Sequence, residues 1–183
     1  MSFLRLNKHV RLAKAAACLS AAAALAVATT ACSSDTGEKK YSVPKSLCGL
    51  ALAPELLDPF LPAGGSVSAG STTPNSGTKR CDVSVDGKLA VRATQTWWGD
   101  GENAATVAAG YDKTDGGAAS DDDRFYYAGS GAVGKTASCT SPKRPDQDLY
   151  AVIQVFTQDR SDPKAMKKLI TAYTKAIEQS SAC

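Results

Sequence analysis

From Leu149 to Thr157 the chain reads LYAVIQVFT, apolar at most positions, which predicts a strand covered on both faces at the centre of a sheet. Two flanking patterns are of the ordinary alternating kind. CDVSV (81–85) and KLAVRATQT (88–96) alternate around Asp86-Gly87 and predict a hairpin. Their phases conflict. A two-residue turn pairs Val85 with Lys88 and leaves Val83 and Val85 on the face opposite Leu89 and Val91. A three-residue loop or a bulge pairs Val85 with Leu89 and unites the apolar set, so a bulge is expected. Arg124 to Ala128 and about Val133 to Cys139 read as two further strands.

Helical spacing is clearest at the C-terminus. Asp162 caps, Pro163 opens the first turn, and Met166, Leu169, Ile170, Tyr173, Ala176 and Ile177 recur on one side, with Lys164, Lys167, Lys168 and Lys175 elsewhere. This predicts one amphipathic helix lying on the sheet. VPKSLCGLALAPELLDPFLP (43–62) reads as two short helices bounded by Pro44, Pro54, Pro59 and Pro62. Asn103 to Ala109 reads as a third. Residues 63–79, rich in Gly, Ser and Thr, and residues 110–123, rich in Asp, read as surface loops.

The N-terminus has a different logic. Arg5, Lys8, His9, Arg11 and Lys14 precede an Ala-rich apolar run from Ala15 to Ala28, then Thr29-Thr30-Ala31, Cys32 and the polar stretch SSDTGEKK. This is the layout of a secretory signal peptide over residues 1–31. The run is too short to span the ~30 Å of a bilayer core. A cysteine directly after the small residues is similar to a bacterial lipoprotein signal, in which that cysteine, here Cys32, receives a diacylglycerol. The family usually has Leu three residues before the cysteine, where this chain has Thr29. Residues 32–43 then read as a polar tether and residues 44–183 as a single domain. The expected place is the outer face of the cytoplasmic membrane, with plain secretion as the alternative.

Loss of the signal changes the chemistry. The whole chain has 21 Lys+Arg, 18 Asp+Glu and one His; with Arg5, Lys8, Arg11 and Lys14 gone, 17 basic residues face 18 acidic ones. The basic excess is therefore no argument for a nucleic-acid partner. His9 leaves too, which removes histidine bases, nucleophilic triads and imidazole metal ligands together. Beyond Cys32 the exported chain keeps Cys48, Cys81, Cys139 and Cys183, with no C-x-x-C among them. An even number in an oxidising compartment reads as two disulfides. Of the three connectivities, Cys48–Cys81 with Cys139–Cys183 closes loops of moderate length and ties helical elements to strand ends. Each bond contributes roughly 3.5–4 kcal/mol on the chain-entropy argument.

Several motifs invite a sharper reading. GSGAVGKT (129–136) fits G-x-x-x-x-G-K-[ST], but a phosphate-binding loop needs a helix starting at Lys135, and ASCTSPKRP follows instead. A glycine-rich strand connection is preferred. Ser42-Val43-Pro44-Lys45 and Ser161-Asp162-Pro163-Lys164 match S-x-x-K without the accompanying motifs of penicillin-recognising enzymes. Asp112, Asp115 and Asp121 to Asp123 lack calcium-loop spacing and read as solvated. No metal and no cofactor is expected. Trp97 and Trp98 point to opposite faces; Trp97 shares parity with Leu89 and Val91 and is read as core, and Trp98 either lies beneath a loop or stands out as a contact residue.

Taken in order, Cys32, the helical Cys48, the hairpin opened by Cys81, the glycine-rich pair from Gly129 to Cys139, the strand Leu149 to Thr157 and the helix Asp162 to Cys183 resemble small actinobacterial lipoproteins of unknown function. The resemblance implies an α+β fold related to PsbP-like domains: a curved antiparallel sheet, of about four to six strands here, backed by the C-terminal helix and short N-terminal helices. It implies no activity. The expected role is a non-catalytic binding or scaffold domain, anchored to the membrane and taking a small ligand, an envelope polymer or another exported protein. The alternatives are an enzyme using Asp, Glu, Lys or Ser, and a protease inhibitor, for which residues 63–79 are too rich in Gly and Ser to form a rigid loop.

Overall fold

The computed structural model describes residues 37–183. The segment read as a signal peptide, and Cys32 with it, lies outside the described residues. In chain order come β1 (Ser46–Leu47), β2 (Leu50–Ala51), α1 (Pro54–Leu57), a 3-10 turn (Asp58–Phe60), β3 (Val67–Asn75), β4 (Thr78–Val85) and β5 (Lys88–Gly99). Then follow α2 (Ala104–Ala108), β6 (Ala118–Ala119), β7 (Phe125–Tyr127), β8 (Gly131–Lys135), β9 (Gln147–Val155) and α3 (Pro163–Glu178).

The fold is α+β. Seven strands form one sheet in the order β3-β4-β5-β9-β8-β7-β6, with every neighbour antiparallel. Two meanders, β3-β4-β5 and β6-β7-β8-β9, meet where β5 pairs with β9. On β9 the side chains of Leu149, Ala151, Ile153 and Val155 enter one core, and Tyr150 and Val152 enter a second on the other face. The first core is closed by Met166, Leu169, Ile170, Tyr173 and Ile177 of α3, with Leu57, Phe60 and Leu61 from the turns before β3. The second is closed by Ala104, Val107 and Ala108 of α2. Val152 therefore faces away from α3, and Phe156 lies at the strand end between the Arg92 guanidinium, 5.6 Å from its ring centre, and the Lys113 ammonium, 5.5 Å away.

The sheet has more strands than the pattern predicts. Residues 63–79 hold β3, a nine-residue edge strand almost wholly exposed. It forms because β4 offers it a row of backbone partners from Val67↔Val85 to Thr72↔Arg80, not because it has an apolar face to bury. β6 adds two residues at the far edge, inside the stretch read as an acidic loop. The N-terminal expectation also needs correction. Only α1 and the 3-10 turn are helical; Ser46 to Ala51 is a tight hairpin whose turn holds Cys48 at φ 56. Cys48 is bonded to Cys81, so the bond ties a hairpin turn to the middle of β4 rather than a helix to a strand end.

The bulge between β4 and β5 exists, at a different place. The turn keeps two residues, Asp86 at φ 48 and Gly87 at φ 77, the left-handed pair of a type I′ turn. Val85 pairs with Lys88 and Ser84 with Leu89; Ala90 is then the extra residue, and Val83 faces Val91. Leu89 drops out of the core and Val91 stays in it. The Asp86 carboxylate is held well below the usual range by the backbone amides of Gly65 and Ser66 and by the Ser66 hydroxyl, which stitch the turn to the start of β3.

At the other end of the chain, Asp162 accepts from the amides of Lys164 and Ala165, capping α3. Leu169 and Ile170 are fully buried, and Lys168 is exposed. Leu169→Ala or Ile170→Ala is expected to cost about 2–5 kcal/mol, transfer and cavity together. Lys168→Ala is expected to change stability by less than about 0.5 kcal/mol. Denaturant unfolding with the disulfides intact checks this; similar losses in all three variants would mean that α3 does not carry the core.

Candidate functional site

Two covalent ties frame the domain. Cys48–Cys81 spans 33 residues with Cα atoms 5.3 Å apart, and Cys139–Cys183 spans 44 with Cα atoms 4.6 Å apart. The second fastens the chain end beyond α3 to the segment leaving β8. Two structural disulfides belong to an oxidising, extracytoplasmic compartment. Among the described residues no helix is long and apolar enough to cross a membrane.

The sequence GSGAVGKT has none of the geometry that phosphate binding needs. Gly131 to Lys135 is β8, extended and paired with β9, and no helix begins at Lys135. The Lys135 ammonium sits 2.7 Å from Asp148 and donates to the Glu102 carbonyl at 3.0 Å. Burial alone would lower its pKa; the Asp148 carboxylate and the Tyr150 phenol outweigh that and raise it. The Tyr150 hydroxyl donates to the same Glu102 carbonyl, so Lys135 and Tyr150 together clamp the connection before α2. The Thr136 hydroxyl donates to the Leu149 carbonyl at 2.9 Å. Gly134 is required by packing: a Cβ there would run into the Thr174 hydroxyl of α3 and lie 3.1 Å from the Phe125 ring.

Other tempting residues have equally local partners. Asp162 of the second S-x-x-K is the α3 cap, and Ser42 and Lys45 of the first are exposed. Asp122 accepts from the Ser120 hydroxyl at 2.6 Å, the main reason its carboxyl is lowered, and shapes the turn before β7. Among the described residues no three His, Cys, Asp or Glu side chains cluster to hold a metal ion. Trp98 lies against the second core beneath α2 and the loop that follows it, its ring centre 6.5 Å from that of Tyr111.

Its neighbour Trp97 is the aromatic residue that lines an opening. A cleft of about 210 Å³ lies where the β3–β4 hairpin, β5, β9 and the chain end meet. Thr73, Ser76 and Thr78 bring hydroxyl-bearing residues, Lys79 a cation, Gln95 an amide, and Trp97 and Leu149 apolar surface. Among the described residues no Asp, Glu or Cys side chain lines it. The Gln95 amide is buried and donates to the Tyr173 hydroxyl at 3.3 Å, and burial pushes the Tyr173 phenol far up. The Lys79 ammonium donates to the Cys48 carbonyl at 2.9 Å, so the disulfide helps to hold the cleft's cation. Trp97 keeps the core parity read from the sequence, yet it is only half-buried. The exposed end of its strand and the polar hairpin beside it carry no pattern that announces a cleft.

Magnesium-ATP is expected to leave the melting temperature unchanged, where a ligand present at 100 times its Kd would stabilise the fold by about 2.7 kcal/mol. Lys135→Ala is expected to lower stability by on the order of 1 kcal/mol, because it leaves Asp148 unpaired. Thermal unfolding with and without nucleotide checks both; a magnesium-dependent rise that Lys135→Ala abolishes would restore the phosphate-binding reading.

No family model matches the chain, and no curated protein and no solved structure matches it either.

Proposed function

We propose that this chain is a lipid-anchored domain of the outer face of the cytoplasmic membrane, which binds or scaffolds an envelope component without catalysing a reaction. The signal layout ending in Cys32 supports the anchor, and the two disulfides support an exported domain. The observation that carries the binding role is the Trp97 cleft, which brings aromatic, amide, hydroxyl and ammonium groups together. Four of the carboxylates are held in ion pairs. Asp58 pairs with Lys39, Asp82 with Arg92, Asp148 with Lys135 and Glu178 with Arg124, each within 2.8 Å. The Arg92 bond holds the Asp82 carboxyl below its usual range, the opposite of what a general acid requires.

Size narrows the ligand. Sites for whole small molecules run to about 300–1,000 Å³. A cleft of about 210 Å³ suits one ring or side chain of something larger. A sugar unit of an envelope polymer, or one residue of an exported protein, fits an aromatic face flanked by hydroxyl and amide groups.

Intact mass of the membrane-fraction protein is expected to correspond to a chain starting at Cys32 with a diacylglycerol added; a lipid-free chain starting at Ser33 would leave a secreted protein. A photo-crosslinking residue at Ser76, introduced in the native organism, is expected to capture an envelope polymer or exported protein, and Trp97→Ala is expected to reduce capture at least ten-fold. Crosslinks that persist in Trp97→Ala, or none at all, would remove the cleft as the binding site.

A further inference from the structure

α3 is two-sided in charge as well as in hydropathy. Lys164, Lys168 and Lys175 follow one another at helical spacing, Lys167 lies beside them, and all four are exposed. The only acid within the helix, Glu178, is turned inward, accepting from Arg124 at 2.8 Å and from the Ala137 amide at 2.7 Å. Among the described residues none of the four lysines enters an ion pair; Lys167 stands 5.2 Å from the Tyr127 ring centre. The acids nearest in sequence are Asp162, engaged as the cap, and the exposed Asp159. Glu55 is exposed on α1, which packs against α3.

Charge of the other sign lies across the sheet. Gln154, on the same side of β9 as Tyr150 and Val152, donates to the Asp112 carbonyl at 3.1 Å, so the loop with Asp112 and Asp115 (and one cation, Lys113) lies over the α2 side. With 17 basic and 18 acidic residues after the signal is removed, the exported chain is nearly neutral overall but uneven from face to face.

The N-terminal chain joins the fold on the α3 side. The Lys40 amide donates to the Gly64 carbonyl at 2.9 Å, and the Lys39 ammonium pairs with Asp58, in the 3-10 turn after α1. Leu57, Phe60 and Leu61 of that region share the α3 core. The stretch read as a polar tether is thus docked from Lys39 onward, and Lys39 lies seven positions after Cys32, with six residues between them. Fully extended, that span reaches at most about 25 Å.

We propose that the lysine face of α3 rests on the anionic leaflet that holds the Cys32 lipid, its ammonium groups against lipid phosphates. This rests on the reading of Cys32 as lipidated. A diacylglycerol suffices for retention, so the lysines act on orientation. They turn the α2 side of the sheet away from the membrane.

The test uses the lipidated protein in nanodiscs of phosphatidylcholine alone or mixed with phosphatidylglycerol. An amine-reactive reagent is followed by mass spectrometry at each lysine. Lys164, Lys167, Lys168 and Lys175 are expected to react roughly five-fold more slowly on the anionic discs, the factor that corresponds to about 1 kcal/mol per lysine at a charged surface. Lys88 and Lys143 are expected not to change, and high salt is expected to erase the difference. Equal rates on both discs overturn the proposal. So does protection that appears on phosphatidylcholine only when poly(glycerol phosphate) is added, which assigns the face to a polymer.

If intact mass finds no lipid, the anchor fails separately from the surface. The secreted chain is then sedimented with phosphatidylglycerol vesicles, beside a Lys164→Gln/Lys168→Gln/Lys175→Gln variant that melts like the parent. Salt-sensitive binding lost in the variant upholds the surface. Binding that survives the substitutions, or no binding by the parent, overturns it.

Discussion

β9 is buried on both faces, and the rest of the fold follows from that burial. Its backbone is satisfied by β5 on one side and β8 on the other, and its side chains divide between two cores. Each core then needs its own cover. α3 supplies one in a single long element. The other is assembled from α2, Trp98 and the segment around Tyr111, which explains why so short a helix is fully buried at Ala104, Val107 and Ala108. Each large apolar side chain of β9 that is fully buried contributes roughly 1.5–3 kcal/mol, and such side chains lie on both sides of the strand.

Away from this centre the chain depends on other bonds. β3 buries little and is held by backbone pairing and by the Asp86 carboxylate across its start, while the β1–β2 hairpin is anchored by the buried Leu47 and by the Cys48–Cys81 bond. Cys139–Cys183 does the same for the last residues beyond α3. The candidate cleft lies where these peripheral pieces meet the edge of the first core. Its Lys79 and Trp97 are therefore positioned by a disulfide-tied hairpin and a strand end, and Gln95 by the buried Tyr173 hydroxyl.

Charge in this protein is arranged in two ways. Inside the fold, ions occur as local clamps: Lys135 with Asp148 fixes the approach to α2, and Arg92 with Asp82 braces β4 against β5. On the outside, the lysines of α3 have no acid among them. An unbalanced helix face close to where the N-terminal segment docks is well placed to meet a surface. The proposed binding at the cleft and the proposed orientation by the helix are compatible, because they use different parts of the domain surface.

The residues that speak for themselves are those whose signal is local. Asp162-Pro163 with the periodic apolar set of α3, the apolar run of β9 and the Asp86-Gly87 turn are all legible in the sequence, because capping, periodicity and turn conformation act over a few residues. The remainder depended on neighbours distant in the chain. β3 is a strand because β4 has free backbone groups, which its Ser, Thr and Gly content does not advertise. The bulge falls at Ala90 because the turn keeps its two residues and the buried face must still align Val83 with Val91. Lys135 is a clamp because Asp148 stands opposite, and Gly134 is glycine because α3 lies against it. Trp97 borders an opening and Trp98, equally half-buried, packs on the second core because α2 and its following loop lie over one face while the hairpin leaves the other partly open. Local propensities chose the elements; burial and pairing across the sheet decided which side chains each element could expose.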